Sequence, residues 1–358
     1  VRWGKTRCAA MEGIAAAMQP AQRSIGWVVG PTYDLADRVF REIQVPFTED
    51  DQIRKVVKFE AENHLHSHAL EDVVVNWVKT GQSRDGSRLT IFASPKTNLG
   101  RLVRILKFAG IEPASIDLDT TSLFTAYEAA GVFKEAPNAV LIDVGARSTS
   151  LVLVANGKPI TLRSFLLGAD HVGSRIGDEL GLPTPEARDR AMLPDGPRED
   201  DLIVPASSLD PDAREDEKSL SRIESEAVTD RRGDFVHKLH RESMRSLASL
   251  QDDAAPDRIL LSGGGSLLPG LADTLEKRFG LPVERVDLAD YVEWKDKGDE
   301  PELMEASVPA AVGCGLRLLG FDPFGIELLQ DEFAPTNRFE VVKTALATGV
   351  TLLFLVLL

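Results

Sequence analysis

Apolar and polar positions along this chain change rhythm several times, and the changes mark its elements. From Arg38 to Val45, RVFREIQV alternates as a strand with one buried face does. From Asp50 to Leu65, Ile53, Val56, Val57, Glu60, Ala61 and His64 recur at helical spacing, with Val56, Val57 and Ala61 as the apolar centre. VVVNWV (73–78) and LTIFAS (89–94) are rich in β-branched and aromatic residues and read as strands. LGRLVRILKFAGI then reads as an amphipathic helix ending at Gly110. Strand, helix, strand, strand, helix makes one small α/β unit.

A second unit opens at Asn138. VLIDVGARSTSLVLVANGKPITLRSF reads as a strand, a tight turn and two further strands, with Asn156-Gly157 as the hairpin signal between apolar runs. A helix is expected at about Asp170 to Leu180, and the acidic stretch from Pro183 to about Arg232 reads as mostly loop or mobile helix. Helical periodicity resumes from Phe235 to Leu250. Arg258 to Ser262 is a buried strand running into Gly263-Gly264-Gly265, Leu268 to Phe279 is a helix, and Val308 to Leu319 is a small-residue helix. No internal repeat is evident.

Composition narrows the classes. Hydrophobic residues at 43% and charged residues at 27% of 358 are those of a globular protein. The net charge of -15 argues against a general nucleic-acid surface, which needs clustered Lys and Arg. Cys8 and Cys314 stand far apart and build neither a disulfide framework nor a metal cluster. His64, His66 and His68 alternate, but no carboxylate or Cys joins them, so a solvated helix end is expected there. The uncharged run TALATGVTLLFLVLL (344–358) reads as the start of a transmembrane helix; about 20 apolar residues make a full span. Arg338 and Lys343 before it place the folded part in the cytoplasm by the positive-inside tendency.

Two glycine turns carry the candidate chemistry. In Ile142-Asp143-Val144-Gly145-Ala146-Arg147-Ser148-Thr149 a buried strand ends in a carboxylate, a glycine and hydroxyls. Gly145 leaves room for a phosphate at the backbone, and Asp143 would hold Mg²⁺, usually through water. An ordinary β-turn with a solvated Asp is the plainer reading. In Ser262-Gly263-Gly264-Gly265-Ser266 the glycines between strand and helix let a flat ring lie against the backbone, or serve packing alone.

In this order, the two turns resemble the phosphate-2 and adenosine motifs of the actin-like ATPases. VPFTEDDQIRKVVKFEAENHL with LEDVVVNW is similar to the subdomain, called 1C or SHS2, of FtsA and PilM proteins. IEPASIDLDTTSLFTAYEA, RILLSGGGSLLPGLADTLEKRFGLPV and VPAAVGCGLRLLG resemble the connecting segment, adenosine motif and closing helix of PilM proteins. The resemblance implies an α/β, actin-like fold of the ribonuclease-H type with an SHS2 subdomain. It implies ATP and Mg²⁺ as ligands, held by Asp143, Gly145, Ser148, Thr149, Gly263, Gly264 and Gly265, with Asp143 at the metal. The family's first hairpin, D-x-G-x-x-x-x-K, does not precede residue 45, so the first lobe strands are expected to be missing and hydrolysis is doubtful. Implied partners are PilN- and PilO-like inner-membrane proteins and a cytoplasmic assembly ATPase, with self-association as a further contact and no nucleic acid. The place implied is the cytoplasmic face of the inner membrane, in type IV pilus assembly or type II secretion.

Residues 1–37 look foreign to that family. VRWGKT, then RCAAMEGIAAAMQ, then SIGWVVGPTYD resemble the start of a phage terminase large-subunit ATPase, with Gly4-Lys5-Thr6 as the tail of its phosphate loop. A P-loop DNA-packaging ATPase is thus one alternative function, and a sugar-kinase-like actin relative another. Phe324-Gly325-Ile326-Glu327-Leu328-Leu329-Gln330 is similar to the I-N-L-L-P start of PilN, fused here in cis as in GspL, with Gln330 in place of Pro. The expected division is 1–37 terminase-like, 38–113 SHS2, 114–324 actin-like body with an acidic loop at 183–234, 325–343 juxtamembrane linker, and 344–358 the membrane helix.

Overall fold

The structure, a computed structural model, describes residues 26–30, 41–63, 65, 69–111, 113–193, 211–248, 255–288, 291, 306 and 308–334. Gly4-Lys5-Thr6, Cys8, the histidines at 64, 66 and 68, and the apolar run 344–358 lie outside them. The strands are β1 (Gly26–Gly30), β2 (Arg41–Val45), β3 (Val73–Ser83), β4 (Gly86–Pro95), β5 (Pro113–Leu118), β6 (Ala139–Val144), β7 (Thr149–Ala155), β8 (Lys158–Phe165), β9 (Arg258–Ser262) and β10 (Val283–Arg285). The helices are α1 (Asp50–Glu62), α2 (Lys96–Phe108), α3 (Asp119–Ala130), α4 (Val132–Glu135), α5 (Asp170–Leu180), α6 (Thr184–Met192), α7 (Pro211–Leu247), α8 (Leu271–Phe279) and α9 (Pro309–Leu318).

Strand β6 shows why the main sheet is buried on both faces. Ala139 and Leu141 point into one core, Val140, Ile142 and Val144 into the other, as the two-residue period of a strand requires. β7 repeats the split, with Val152 and Val154 opposite Leu151 and Leu153. The sheet order is β10-β9-β6-β7-β8, with β6, β9 and β10 parallel and β6-β7-β8 an antiparallel meander. The β7–β8 turn is made by Asn156 and Gly157, both at positive φ (52° and 74°), as a two-residue hairpin demands. On one side lie α5, α6, α7 and α8; on the other, α3 joins β6 to the strands of the first unit.

The second sheet, β2-β4-β3, is antiparallel and packs Val45, Val75, Leu89 and Ile91 against Ile53, Val57 and Ala61 of α1. Its other face gives Val74, Val78 and Phe92 to the core shared with α2, β5 and α3. β1, from the terminase-like segment, pairs in parallel with β5. Helices α3 and α9 touch backbone to backbone: a Cβ on Gly313 would lie 1.7 Å from the Ser122 carbonyl oxygen.

The acidic stretch, expected to be mostly loop or mobile helix, is helical where it is described. It contains α6 and the long helix α7, which begins well ahead of Phe235. Tertiary contacts hold α7: Phe235, Val236 and Leu239 are buried on its inner side, and the buried Arg232 guanidinium donates to the Ala191 carbonyl (3.1 Å) and to that of Leu193, closing the end of α6. Abundant Asp and Glu reveal the solvated side of such a helix and conceal the side that packs.

Candidate functional site

β6 ends at Asp143-Val144 and turns back through Gly145 to Ser148, closed by the Gly145 N–H donating to the Ser148 carbonyl at 3.0 Å. The loop before α5 clamps this turn. Ala169 N–H donates to Gly145 O (2.9 Å) and Asp170 N–H to Ala146 O (2.8 Å), and the approach is so close that a Cβ on Gly168 would sit 2.4 Å from Ala146. Thr149 serves the same clamp: it is fully buried and its hydroxyl donates to Leu167 O at 2.6 Å. Asp143, Gly145 and Ser148 are half-buried on the turn, whereas Thr149 faces inward.

Asp143 lies in register with Ser150 of β7 on one side and Ser262 of β9 on the other. Burial, and then repulsion from Asp119, push its pKa up to about 7, while a hydrogen bond from Ser262 pulls the other way. Asp119 opens α3; its carboxylate accepts from Thr120 N–H at 2.7 Å, and Thr120 Oγ1 lies 3.3 Å from Ser150 Oγ. Tyr127, buried one face further along α3, places its hydroxyl 2.8 Å from Ser262 Oγ and donates to Val286 O at 3.2 Å. Burial raises the Tyr127 pKa, so its hydroxyl stays a donor.

The second glycine turn rests on the first. Gly263 has φ +82°, and a Cβ there would lie 2.6 Å from Val144 O and 2.8 Å from Asp143 Oδ1. A Cβ on Gly265 would lie 2.4 Å from Val144 Cγ1. Gly264 and Gly265 are buried in the single 3₁₀ turn Gly264–Leu267. The fold therefore brings the two motifs together at Asp143. At Gly263 and Gly265, the space left by the absent side chains is filled by β6 itself. The carboxylate oxygens and hydroxyls at this junction suit a hard, oxygen-seeking cation such as Mg²⁺, which would relieve the Asp143–Asp119 repulsion. Sequence reading missed Asp119, Tyr127, Ser262 and Gly168. Only Ser262, beside the glycines, carried a local signal; the others reach the site by tertiary packing.

A second feature lies along β5. Leu328 N–H donates to Ile116 O (3.0 Å), and Ile116 N–H to the Glu327 side chain (3.1 Å). Asn76 of β3 donates to Glu327 O (3.0 Å) and accepts from Gln330 Nε2 (3.0 Å). Ile326, Leu328 and Leu329 are buried in the core formed by β3, β4, α2, β5 and α3, and Phe324 meets Phe124 edge-on at 5.3 Å. Arg317 of α9 ties the approach down, with Asp322 at 2.8 Å, Glu327 at 3.6 Å and the buried Asp117 at 4.0 Å. Burial lifts the Asp117 pKa to about 6 against the pull of Arg317 and hydrogen bonds from Leu118, Thr121 and Ser122.

The family model described as cell division protein FtsA matches residues 140–307, the stretch that holds both glycine turns. Among solved structures, the PilM-PilN type IV pilus biogenesis complex superposes with a TM-score of 0.60 and 22% identity, over 78% of this chain and 76% of that chain. More distant likenesses are MreB5 of Spiroplasma citri bound to ADP (TM-score 0.42, 14% identity, 63% of this chain and 66% of that one) and ethanolamine utilization protein EutJ from Carboxydothermus hydrogenoformans (0.38, 13%, 61% and 60%). The sheet order, the matched stretch and the first likeness give an α/β, actin-like fold.

Proposed function

We propose that this chain is a PilM-type, actin-like scaffold of type IV pilus assembly that carries its PilN-like peptide in cis. The observation that carries the reading is the seated segment Phe324–Gln330. It is the stretch that resembles the start of PilN, and the solved structure whose fold this chain shares is a complex of PilM with PilN. Backbone hydrogen bonding to β5 gives the segment its register, and Ile326, Leu328 and Leu329 give it affinity by burial. The chain would link the assembly machinery in the cytoplasm to inner-membrane partners through the residues beyond Ala334. Type II secretion is the neighbouring assignment. The family match and the PilM-PilN likeness leave the DNA-packaging alternative without support.

ATP and Mg²⁺ belong to the reading as ligands of the Asp143 junction, with Asp143 at the metal and Gly145 and Ser148 toward phosphate, while Gly263 and Gly265 seat the second turn against β6. In this reading the chain acts by holding its partners together, with nucleotide at the Asp143 junction.

Peptide capture tests the proposal. A labelled peptide of sequence FGIELLQ should not bind the intact chain, whose own segment fills the site. It should bind the Leu328→Asp chain, whose segment is driven out by a buried charge. Failure of the Leu328→Asp chain to capture the peptide, with its remaining fold intact by circular dichroism, refutes the docking-site reading.

A further inference from the structure

Helix α2 presents to solvent a side that the body does not use. Leu99, Val103 and Leu106 face inward and are buried, whereas Arg101, Arg104, Ile105, Lys107 and Phe108 are exposed. Arg101, Arg104, Ile105 and Phe108 fall at i, i+3, i+4 and i+7, so they form one stripe down the helix, with Lys107 beside it. Phe108 is 96% exposed and Ile105 59%, the most exposed pair of large apolar side chains on one element among the described residues. The stripe and the adjacent Lys107 together present three cations and no carboxylate on a chain whose net charge is -15. A cationic helix face tipped with an aromatic and an aliphatic side chain matches an anionic lipid surface: the cations meet headgroup phosphates and the apolar tips enter the acyl boundary.

The path of the chain points the same way. Phe333 packs against Gly100, Glu332 pairs with Lys96 at 3.1 Å, and both border a shallow groove with Arg104 and Lys107. Ala334 therefore lies beside this helix. Only residues 335–343 separate that point from the uncharged run 344–358, a stretch of at most about 30 Å when extended.

We propose that the Arg101–Phe108 side of α2 is a docking surface for anionic phospholipid, holding the body against the membrane to which residues 344–358 tether it. The inference rests on the tether reading for its orientation, and on the stripe's own chemistry for its lipid preference. Anchoring by two weak signals, an apolar segment and a basic patch, is stable where either alone is marginal.

The test uses the full chain with vesicles of phosphatidylcholine alone and of phosphatidylcholine with phosphatidylglycerol. The expected result is binding at least tenfold tighter to the anionic vesicles. The triple change Arg101→Glu, Arg104→Glu and Lys107→Glu should remove that preference, with the melting transition unchanged because all three side chains are exposed. A polarity-sensitive fluorophore on Phe108→Cys, in a Cys8→Ser background that leaves only the buried Cys314, should report an apolar environment on anionic vesicles alone. Equal binding to both vesicles, an unaltered preference after charge reversal, or a fluorophore that stays aqueous on bound protein would each overturn the lipid assignment; the last would favour an acidic protein partner. Deleting residues 341–358 separates the two readings. If anionic binding persists but weakens, both stand; if the deletion changes nothing while the triple change removes binding, the tether fails and the stripe stands.

Discussion

Gly263 shows how a single residue couples the two halves of the candidate site. Its backbone is left-handed and its α-carbon lies so near Val144 that no Cβ fits. Gly263→Ala should therefore cost about 2–4 kcal/mol, from strain plus overpacking. Gly280→Ala, at the similar φ of +67° but with open space around it, should cost only about 1 kcal/mol. Urea denaturation of both variants measures the difference; equal losses would show that β6 gives way and the turns are not rigidly joined. Asp117 makes a second residue-scale prediction. Its folded pKa of about 6 lies above the ordinary 3.8, so between about pH 4 and pH 6 the folded chain binds the extra proton. Stability from this group is therefore present at low pH and lost as pH rises through that window, by about 3 kcal/mol in all. Asp117→Asn cannot titrate, so the gap between variant and parent, followed by denaturation from pH 4.5 to 7, should move in its favour as pH rises. A constant gap would mean that Arg317 neutralises Asp117 throughout.

At the scale of elements, the segment Phe324–Gln330 behaves as a core piece without being a helix or strand of its own. Three buried apolar side chains and hydrogen bonds to β3 and β5 hold it. Leu328→Ala removes a side chain that is 1% exposed, and the expected cost is about 2–5 kcal/mol. Limited proteolysis should then cut near Asp322–Gln330 before the body unfolds, since a docked segment that loses one of its three buried side chains can open locally while the sheets stay folded. Simultaneous loss of body and segment would show that the segment is integral rather than docked. Helix α7 is the contrasting element: polar in composition, yet fixed by Phe235, Leu239 and the buried Arg232.

For the whole molecule, the question is whether the Asp143 junction still takes nucleotide. The junction is assembled from β6, β7, β9 and α3. Calorimetry with ATP should show binding that depends on Mg²⁺. Where binding is measurable, Asp143→Ala should abolish its Mg²⁺ dependence. Sub-micromolar affinity with steady turnover would contradict the holding role proposed for the chain.

The sequence by itself marked most of the strands, because the apolar runs of β6, β7 and β9 and the Asn-Gly turn after β7 are local signals. Strands β5 and β10 carried none, and only packing showed which face each side chain takes. It also marked Asp143 and the run Gly263 to Gly265, since a carboxylate or glycines at the end of an apolar strand are local signals. Tertiary structure alone decided the rest. Asp119 and Tyr127 look like ordinary helix residues until α3 packs beside β6 and β9 and turns them toward Asp143 and Ser262. Thr149 looks like a phosphate ligand until the loop from Leu166 to Ala169 claims its hydroxyl. The acidic first half of α7 reads as loop or mobile helix, and only the structure shows it continuous with the helix that buries Phe235, Val236 and Leu239. Local pattern marks an element; which face a side chain takes and which neighbour it meets there depend on contacts between residues far apart in the chain.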